Sequence, residues 1–192
     1  MGKIVISTNV SLDGVGQDPG GDEGFRHGGW FAEYGASDLE PWATFMFQET
    51  LRIDALLLGR RTDEWFASRW LSRTDEWAKA LNLLPKYVVS ATLEEPMWSN
   101  ATVLRGDAVK EAAKLKQEID GDIVVYGSYQ LGRALLEADL VDELRLFVFP
   151  VVLGDGEHVL GKTSDKLPLR LVKTQTIGKS LTYLNYEIVR GA

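Results

Sequence analysis

The sequence predicts an α/β fold in a single domain spanning residues 1–192: a mixed sheet with helices on both faces. Three observations carry this. Short apolar runs of β-forming residues alternate with helix-period stretches from Lys3 onwards. Two alternating segments, Leu169 to Ile177 and Leu181 to Val189, flank a Gly178-Lys179 turn, as an antiparallel hairpin does. At 192 residues the chain is long enough for one well-packed core, and it holds no linker-like stretch.

In chain order, Lys3 to Val10 is a largely buried first strand, and Ser11-Leu12-Asp13-Gly14 is a turn. From Gly14 to Gly35 eight glycines accompany Trp30, Phe31 and Tyr34; a loop of that length inside a compact domain is usually functional or disordered, and the aromatics favour function. Pro41 to Arg52 has helical spacing. The apolar strand Ile53 to Leu58 then ends in Gly59-Arg60-Arg61-Thr62 before a helix from Asp63 to Arg69. Trp77, Ala80, Leu81 and Leu84 mark a further helix, stopped by Pro85. Lys86 to Ser90 and Thr102 to Leu104 are strands. Asp107 is a good N-cap for a helix from Ala108 to Ile119. Ile123 to Tyr126 is a strand that runs into Gly127-Ser128 and a helix carrying Leu131, Ala134, Leu135 and Ala138, with Ser128 placed to cap it.

The two strand-to-helix turns, at Gly59 and Gly127, carry the functional signal. A helix start offers free N–H groups and partial positive charge, a natural seat for phosphate. If both strands point the same way, both turns lie on the carboxyl edge where open α/β sheets bind ligands. Two phosphate seats on one edge, one of them bearing two guanidinium groups, point to a dinucleotide.

Composition removes other classes. A net charge of −7 and a pI near 4.9 leave no basic stripe for nucleic acid. The first apolar run is too short for a signal peptide and no stretch reaches membrane-spanning length, so the expectation is a soluble, cytoplasmic protein with no membrane partner. The chain has no cysteine, and His27 and His158 lack metal-type spacing, so no metal site is expected. Gly156 to Thr163 spells a P-loop, but Pro168 and an alternating strand follow where the P-loop needs a helix. Neither G-x-G-x-x-G nor G-x-S-x-G occurs at the turns.

With these residues in place, the chain resembles the dihydrofolate reductase-like superfamily, and within it stand-alone proteins similar to the reductase half of the bifunctional deaminase-reductase of riboflavin biosynthesis. The resemblance runs from about Lys3 to Val189. It rests on six ordered blocks, at 11–14, 56–62, 87–90, 124–128, 140–144 and 150–156. It implies a three-layer fold with a twisted mixed sheet of about eight strands flanked by helices, and NADPH as cofactor. It also implies that Gly59, Arg60, Arg61 and Thr62 hold the cofactor's phosphates and adenosine side, that Ser90 and Arg105 grip the 2′-phosphate, and that Gly127, Ser128, Gln130 and Leu131 form the pyrophosphate turn. Ser128 stands where the family has a second glycine, and Ala91 replaces a hydroxyl residue.

The expected reaction is hydride transfer from NADPH to a flat heterocycle or carbonyl-type carbon. The nicotinamide is expected near Asn9, Ser11 and Asp13, with Asp13 as the candidate acid, Trp30 against the substrate and Arg26 on a substrate phosphate. The resemblance alone names 5-amino-6-(5-phosphoribosylamino)uracil as substrate. A dihydrofolate or pteridine reductase, whose acid would be among Glu33, Asp38, Glu40 and Glu49, and a non-catalytic NADP or flavin binder are the alternatives. Family analogy implies a homodimer, with the apolar strand Leu144 to Val151 as one place for it.

Overall fold

The computed structural model describes residues 1–190. Eight strands form one mixed sheet in the order β4-β3-β2-β5-β1-β6-β8-β7, with flanking helices. The strands are β1 (Lys3–Ser11), β2 (Ala55–Gly59), β3 (Lys86–Val89), β4 (Ala101–Leu104), β5 (Asp122–Tyr126), β6 (Val141–Phe149), β7 (Leu169–Ile177) and β8 (Leu181–Ile188). The helices are α1 (Trp30–Gly35), α2 (Leu39–Thr50), α3 (Arg60–Trp70), α4 (Glu76–Leu83), α5 (Ala108–Glu118) and α6 (Tyr129–Glu137). No helix among the described residues is long and apolar enough to cross a membrane. Contacts cluster into two compact units, one made of Met1–Ile6 and Phe47–Val141, the other of Ser7–Met46 and Asp142–Ala192.

The first unit holds β2 to β5 and α3 to α6. Its strands β4, β3, β2 and β5 run parallel and bury near-continuous apolar runs such as Ala55 to Leu58 and Ile123 to Val125, as parallel sheets covered on both faces require. Asp107 caps α5, accepting the Lys110 N–H at 3.0 Å, as its position in sequence predicts. The end of α4 is finished by a buried ammonium. Lys86 is 1% exposed and donates to the carbonyls of Leu81, Asn82 and Leu84, and its Nζ also lies 4.3 Å from the Trp98 ring centroid. Burial lowers its pKa to about 8, opposed by the charge of Asp63.

The second unit holds α1, α2 as far as Met46, β6 from Asp142 on, and the antiparallel strands β8 and β7. The stretch expected to be loop from Gly14 to Gly35 contains α1, which starts after a left-handed Gly29 (φ 83°). The loop before it is tied down from within: Asp18 is 2% exposed and its carboxylate accepts the N–H groups of Glu23 and Phe25. Phe45 of α2 packs on Phe147 and Tyr183.

The apolar strand expected over Leu144 to Val151 falls mostly in β6, which is internal, with β1 and β8 as its neighbours in the sheet. The acids of the α1–α2 region also divide by role. Asp38 is wholly buried, and its carboxylate accepts the N–H groups of Lys179 and Ser180 at 2.8 and 2.9 Å and the Ser180 hydroxyl. It holds the β7–β8 turn, where Gly178 (φ 63°) leaves no room for a Cβ against it. Replacing Asp38 with Ala takes the shared acceptor from these turn donors, so chemical denaturation should show a loss of about 1.5–3 kcal/mol, the range for hydrogen bonds to a charged group. A loss below half of that would move the turn's anchor elsewhere.

Candidate functional site

Strand register sets the first half of the site. Gly59 of β2 lies opposite Val89 of β3, Val89 lies opposite Leu104 of β4, and Leu56 of β2 lies opposite Val124 of β5. Counting three residues on from that last pair brings Gly59 level with Gly127. The carboxyl ends of four parallel strands therefore present Gly59, Ser90, Arg105 and Gly127 along one edge.

The two glycine turns form one piece. The Gly59 N–H donates to the Ser128 hydroxyl at 2.9 Å, and the Ser128 N–H donates to Thr62 Oγ1 at 3.2 Å. Gly127 (φ 51°) and Ser128 (φ 48°) are both left-handed, an uncommon backbone for serine. That geometry explains why Ser128 does not cap its helix as expected: its side chain reaches across to Gly59, and α6 begins without a side-chain cap. α3 also begins uncapped, directly after Gly59, so Arg60, Arg61 and Thr62 form its first turn and are not a loop before it. The edge thus holds two neighbouring helix starts, neither of which is capped by the side chain of its own N-cap residue. A phosphate fits such a place.

The cations sort by partner. Arg60 pairs with Glu64 at 2.7 Å and donates to the Thr92 hydroxyl at 2.9 Å. Arg61 is exposed and makes no hydrogen bond or ion pair among the described residues. The Ser90 hydroxyl accepts the N–H groups of Thr92 and Leu93, and Arg105 donates to the Glu94 carbonyl at 3.3 Å. Arg60, Ser90 and Arg105 therefore converge on one short loop, 90–94. Thr92 is the residue the sequence reading missed: it supplies a hydroxyl beside Arg60, one position on from Ala91. Of the remaining pair, Gln130 is exposed, whereas Leu131 is buried and offers only its backbone.

Asn9, Ser11, Asp13, Arg26 and Trp30 belong to the second unit. Asn9 Oδ1 accepts the Trp42 indole N–H at 3.0 Å. Ser11 is buried, donates to Asp13 at 2.7 Å and accepts the Val15 N–H. Asp13, expected as an acid, also accepts the N–H groups of Leu153 and Gly154 at 3.1 and 2.8 Å. Burial pushes its carboxyl up, but the bonds from Ser11, Gly154 and Leu153 outweigh this and bring its pKa down to about 2. It is a carboxylate at neutral pH with no proton to give, and its work is to clasp the 152–154 turn.

Trp30, expected against a substrate, is a core residue. It is wholly buried, packs edge-on to Phe149 with ring centroids 5.2 Å apart, and donates its indole N–H to the Gln17 carbonyl. Arg26 is exposed and paired with Asp155 at 3.1 Å. The P-loop look-alike has no helix after Lys162-Thr163, and Gly156 is required there because a Cβ would strike Val15 and Phe25. Among the described residues no group of three or more histidines, aspartates and glutamates gathers as for a metal.

With this geometry in view, comparison with known proteins is informative. A family model described as the RibD C-terminal domain matches residues 2–183. The chain belongs to the RibD C-terminal domain family. Among relatives, it is 29% identical to the uncharacterized protein YyaP of Bacillus subtilis (strain 168), over 96% of this chain and 94% of that one. A protein of Shewanella sp. PV-4 assigned to riboflavin biosynthesis shares the fold, with a TM-score of 0.74 at 22% identity over 98% of this chain and 99% of that one. So does dihydrofolate reductase of Enterococcus faecalis, solved with NADP(H), with a TM-score of 0.59 at 15% identity over 97% and 96%. The dihydrofolate reductase-like architecture that the sequence implies is thus the fold of this RibD-type domain.

The Asp13 clasp sets a pH dependence. A carboxyl whose folded pKa lies below its unfolded value of about 3.9 stabilises the protein above that value, and the contribution disappears as pH falls through about 2. The native chain should therefore lose stability between about pH 4 and pH 2 more steeply than Asp13→Asn does, as read by thermal melts across that range. Parallel acid limbs for the two proteins would refute the clasp.

Proposed function

We propose that this chain is an NADPH-dependent reductase that delivers hydride to a small, flat heterocycle. The observation that carries the reading is the joined pair of glycine turns beneath two uncapped helix starts, with three arginines along the same strand ends. Guanidinium groups near a phosphomonoester favour NADPH over NADH. An acidic chain can retain a polyanion only through such a local cluster. Membership of the RibD C-terminal domain family and a fold shared with an NADP(H)-bound reductase support the same reading.

In this assignment the leading N–H groups of α3 and α6, with Arg61, hold the pyrophosphate, while Arg60, Thr92, Ser90 and Arg105 hold the 2′-phosphate. The chemistry such a cofactor supplies is hydride transfer. The protein's own contribution is positioning and exclusion of water rather than covalent bonding. Arg26 would exchange Asp155 for a substrate phosphate. The proton comes from a donor other than Asp13.

The substrate class is a phosphorylated aminopyrimidine of the 5-amino-6-(5-phosphoribosylamino)uracil kind. Of the four candidate acids for a pteridine substrate, Asp38 is engaged by the β7–β8 turn and Glu33 and Glu40 are exposed, which leaves the half-buried Glu49 of α2 for that alternative. Following NADPH absorbance against both substrates distinguishes them, and turnover of dihydrofolate with none of the aminopyrimidine would reverse the choice. Replacing Arg60 with Ala should weaken NADPH by about 1–3 kcal/mol, the worth of a charge-assisted contact, and spare NADH. Equal losses for both cofactors would place the 2′-phosphate away from Arg60.

A further inference from the structure

One buried carboxyl in the first unit caps no helix and braces no turn. Asp63 is the fourth residue of α3 and is wholly buried. At about 1.5 Å of rise per residue it lies roughly 6 Å along the helix axis from Gly59, behind the phosphate seat. Neither of its oxygens has a hydrogen-bond partner among the described residues, nor does the indole Nε1 of Trp98, which is 2% exposed. Lys86 is the cation whose charge reaches Asp63, yet its ammonium commits its three protons to backbone carbonyls and has none left for a carboxylate.

An unpaired anion is costly in such a place, and the neutral acid is the cheaper form. Burial pushes the Asp63 carboxyl up; the Trp98 indole N–H, close but out of bonding geometry, draws it down, the Glu64 charge adds to the rise and the Lys86 charge opposes it. Of the elements packed on α3, β2 presents the apolar run Ala55 to Leu58, β3 presents Lys86, and α4 keeps Lys79 on Glu76 at its surface. Glu64 is itself held by Arg60. A carboxylate at Asp63 and a phosphate at the start of α3 draw on the same positive helix end. Charge on Asp63 therefore opposes an anion there, and a proton on Asp63 removes the opposition.

We propose that Asp63 is a proton-linked control of the phosphate seat: an anion binding at the starts of α3 and α6 is accompanied by uptake of one proton at this carboxyl. This linkage rests on the coenzyme reading of that edge and adds its regulation. It is reciprocal. An anion at the helix start makes the carboxylate less favourable and so tightens its hold on the proton, and the protonated carboxyl in turn tightens the hold on the anion. The proton comes from solvent and returns to it when the anion leaves, with no bond in the ligand made or broken. The seat then grips its anion harder as pH falls, a response that arginines, charged at every working pH, cannot supply.

Asp63→Asn keeps the shape of the neutral acid and removes its titration. In protein labelled with carbon-13 at the aspartate carboxyls, the signal absent from Asp63→Asn should titrate above the ordinary carboxylate range, and saturating inorganic pyrophosphate or NADP⁺ should move its midpoint higher still. Calorimetry in two buffers of different ionisation enthalpy should show the native chain taking up a proton with either anion and Asp63→Asn taking up less. Native affinity should be about tenfold tighter below the midpoint than above it, within the usual span of coupling between two sites, over and above any change seen in Asp63→Asn. If Asp63→Asn fails to fold, through-bond assignment of the native chain yields the same midpoints. An Asp63 midpoint in the ordinary range, or one unmoved by bound anion, overturns the proposal. Pyrophosphate bound with proton uptake, but no binding of NADP⁺, sinks the coenzyme reading and leaves the linkage standing. NADP⁺ bound without uptake does the reverse, and a chain that binds neither anion loses both.

Discussion

Two hydrogen bonds, Gly59 N–H to the Ser128 hydroxyl and Ser128 N–H to Thr62 Oγ1, hold the candidate site in shape. They join the ends of two neighbouring parallel strands into one floor, and neither helix start is capped by its own N-cap side chain. A left-handed serine has a backbone cost, of the order of 1 kcal/mol. That cost is offset by two bonds that a right-handed capping serine would not make. The strain is local, and it stands where a ligand's phosphates would be received.

The contrast between the acids is equally physical. Asp13, Asp18 and Asp38 are drawn inward by backbone N–H groups and act as braces, whereas a proton donor must keep its proton at the working pH. Each brace satisfies a turn that would otherwise leave amide hydrogens unpaired. The glycine-rich segment between β1 and α1 is therefore a folded loop with its own internal scaffold.

Much of this was legible in the sequence. Short apolar runs, alternation and turn residues located seven of the eight strands, with β6 read only as an apolar stretch from Leu144 to Val151, and the matched strand-Gly-helix turns located the carboxyl edge, because those signals are local. The remainder depended on partners far along the chain. Nothing near Asp13 announces Leu153 and Gly154, and nothing near Asp38 announces Lys179 and Ser180. Trp30 read as a ligand contact because glycines surround it, yet Phe149 and the Gln17 carbonyl absorb it. Ser128 read as a cap because capping is what serine does before a helix. Only the neighbouring strand supplies the competing donor. Thr92 was visible beside Ser90, but its role needed the position of the Arg60 guanidinium.

The joined turns divide labour along the rim. Thr62 and Ser128 accept through their hydroxyls and cannot vary singly without unpairing a backbone N–H, whereas the side chains of Arg60, Thr92 and Arg105 meet at the 90–94 loop. Under the proposed function, descendants of this chain are free to drift in which coenzyme they prefer while the hydroxyls that join the turns stay fixed. Anyone redesigning that preference has a natural boundary at which to stop.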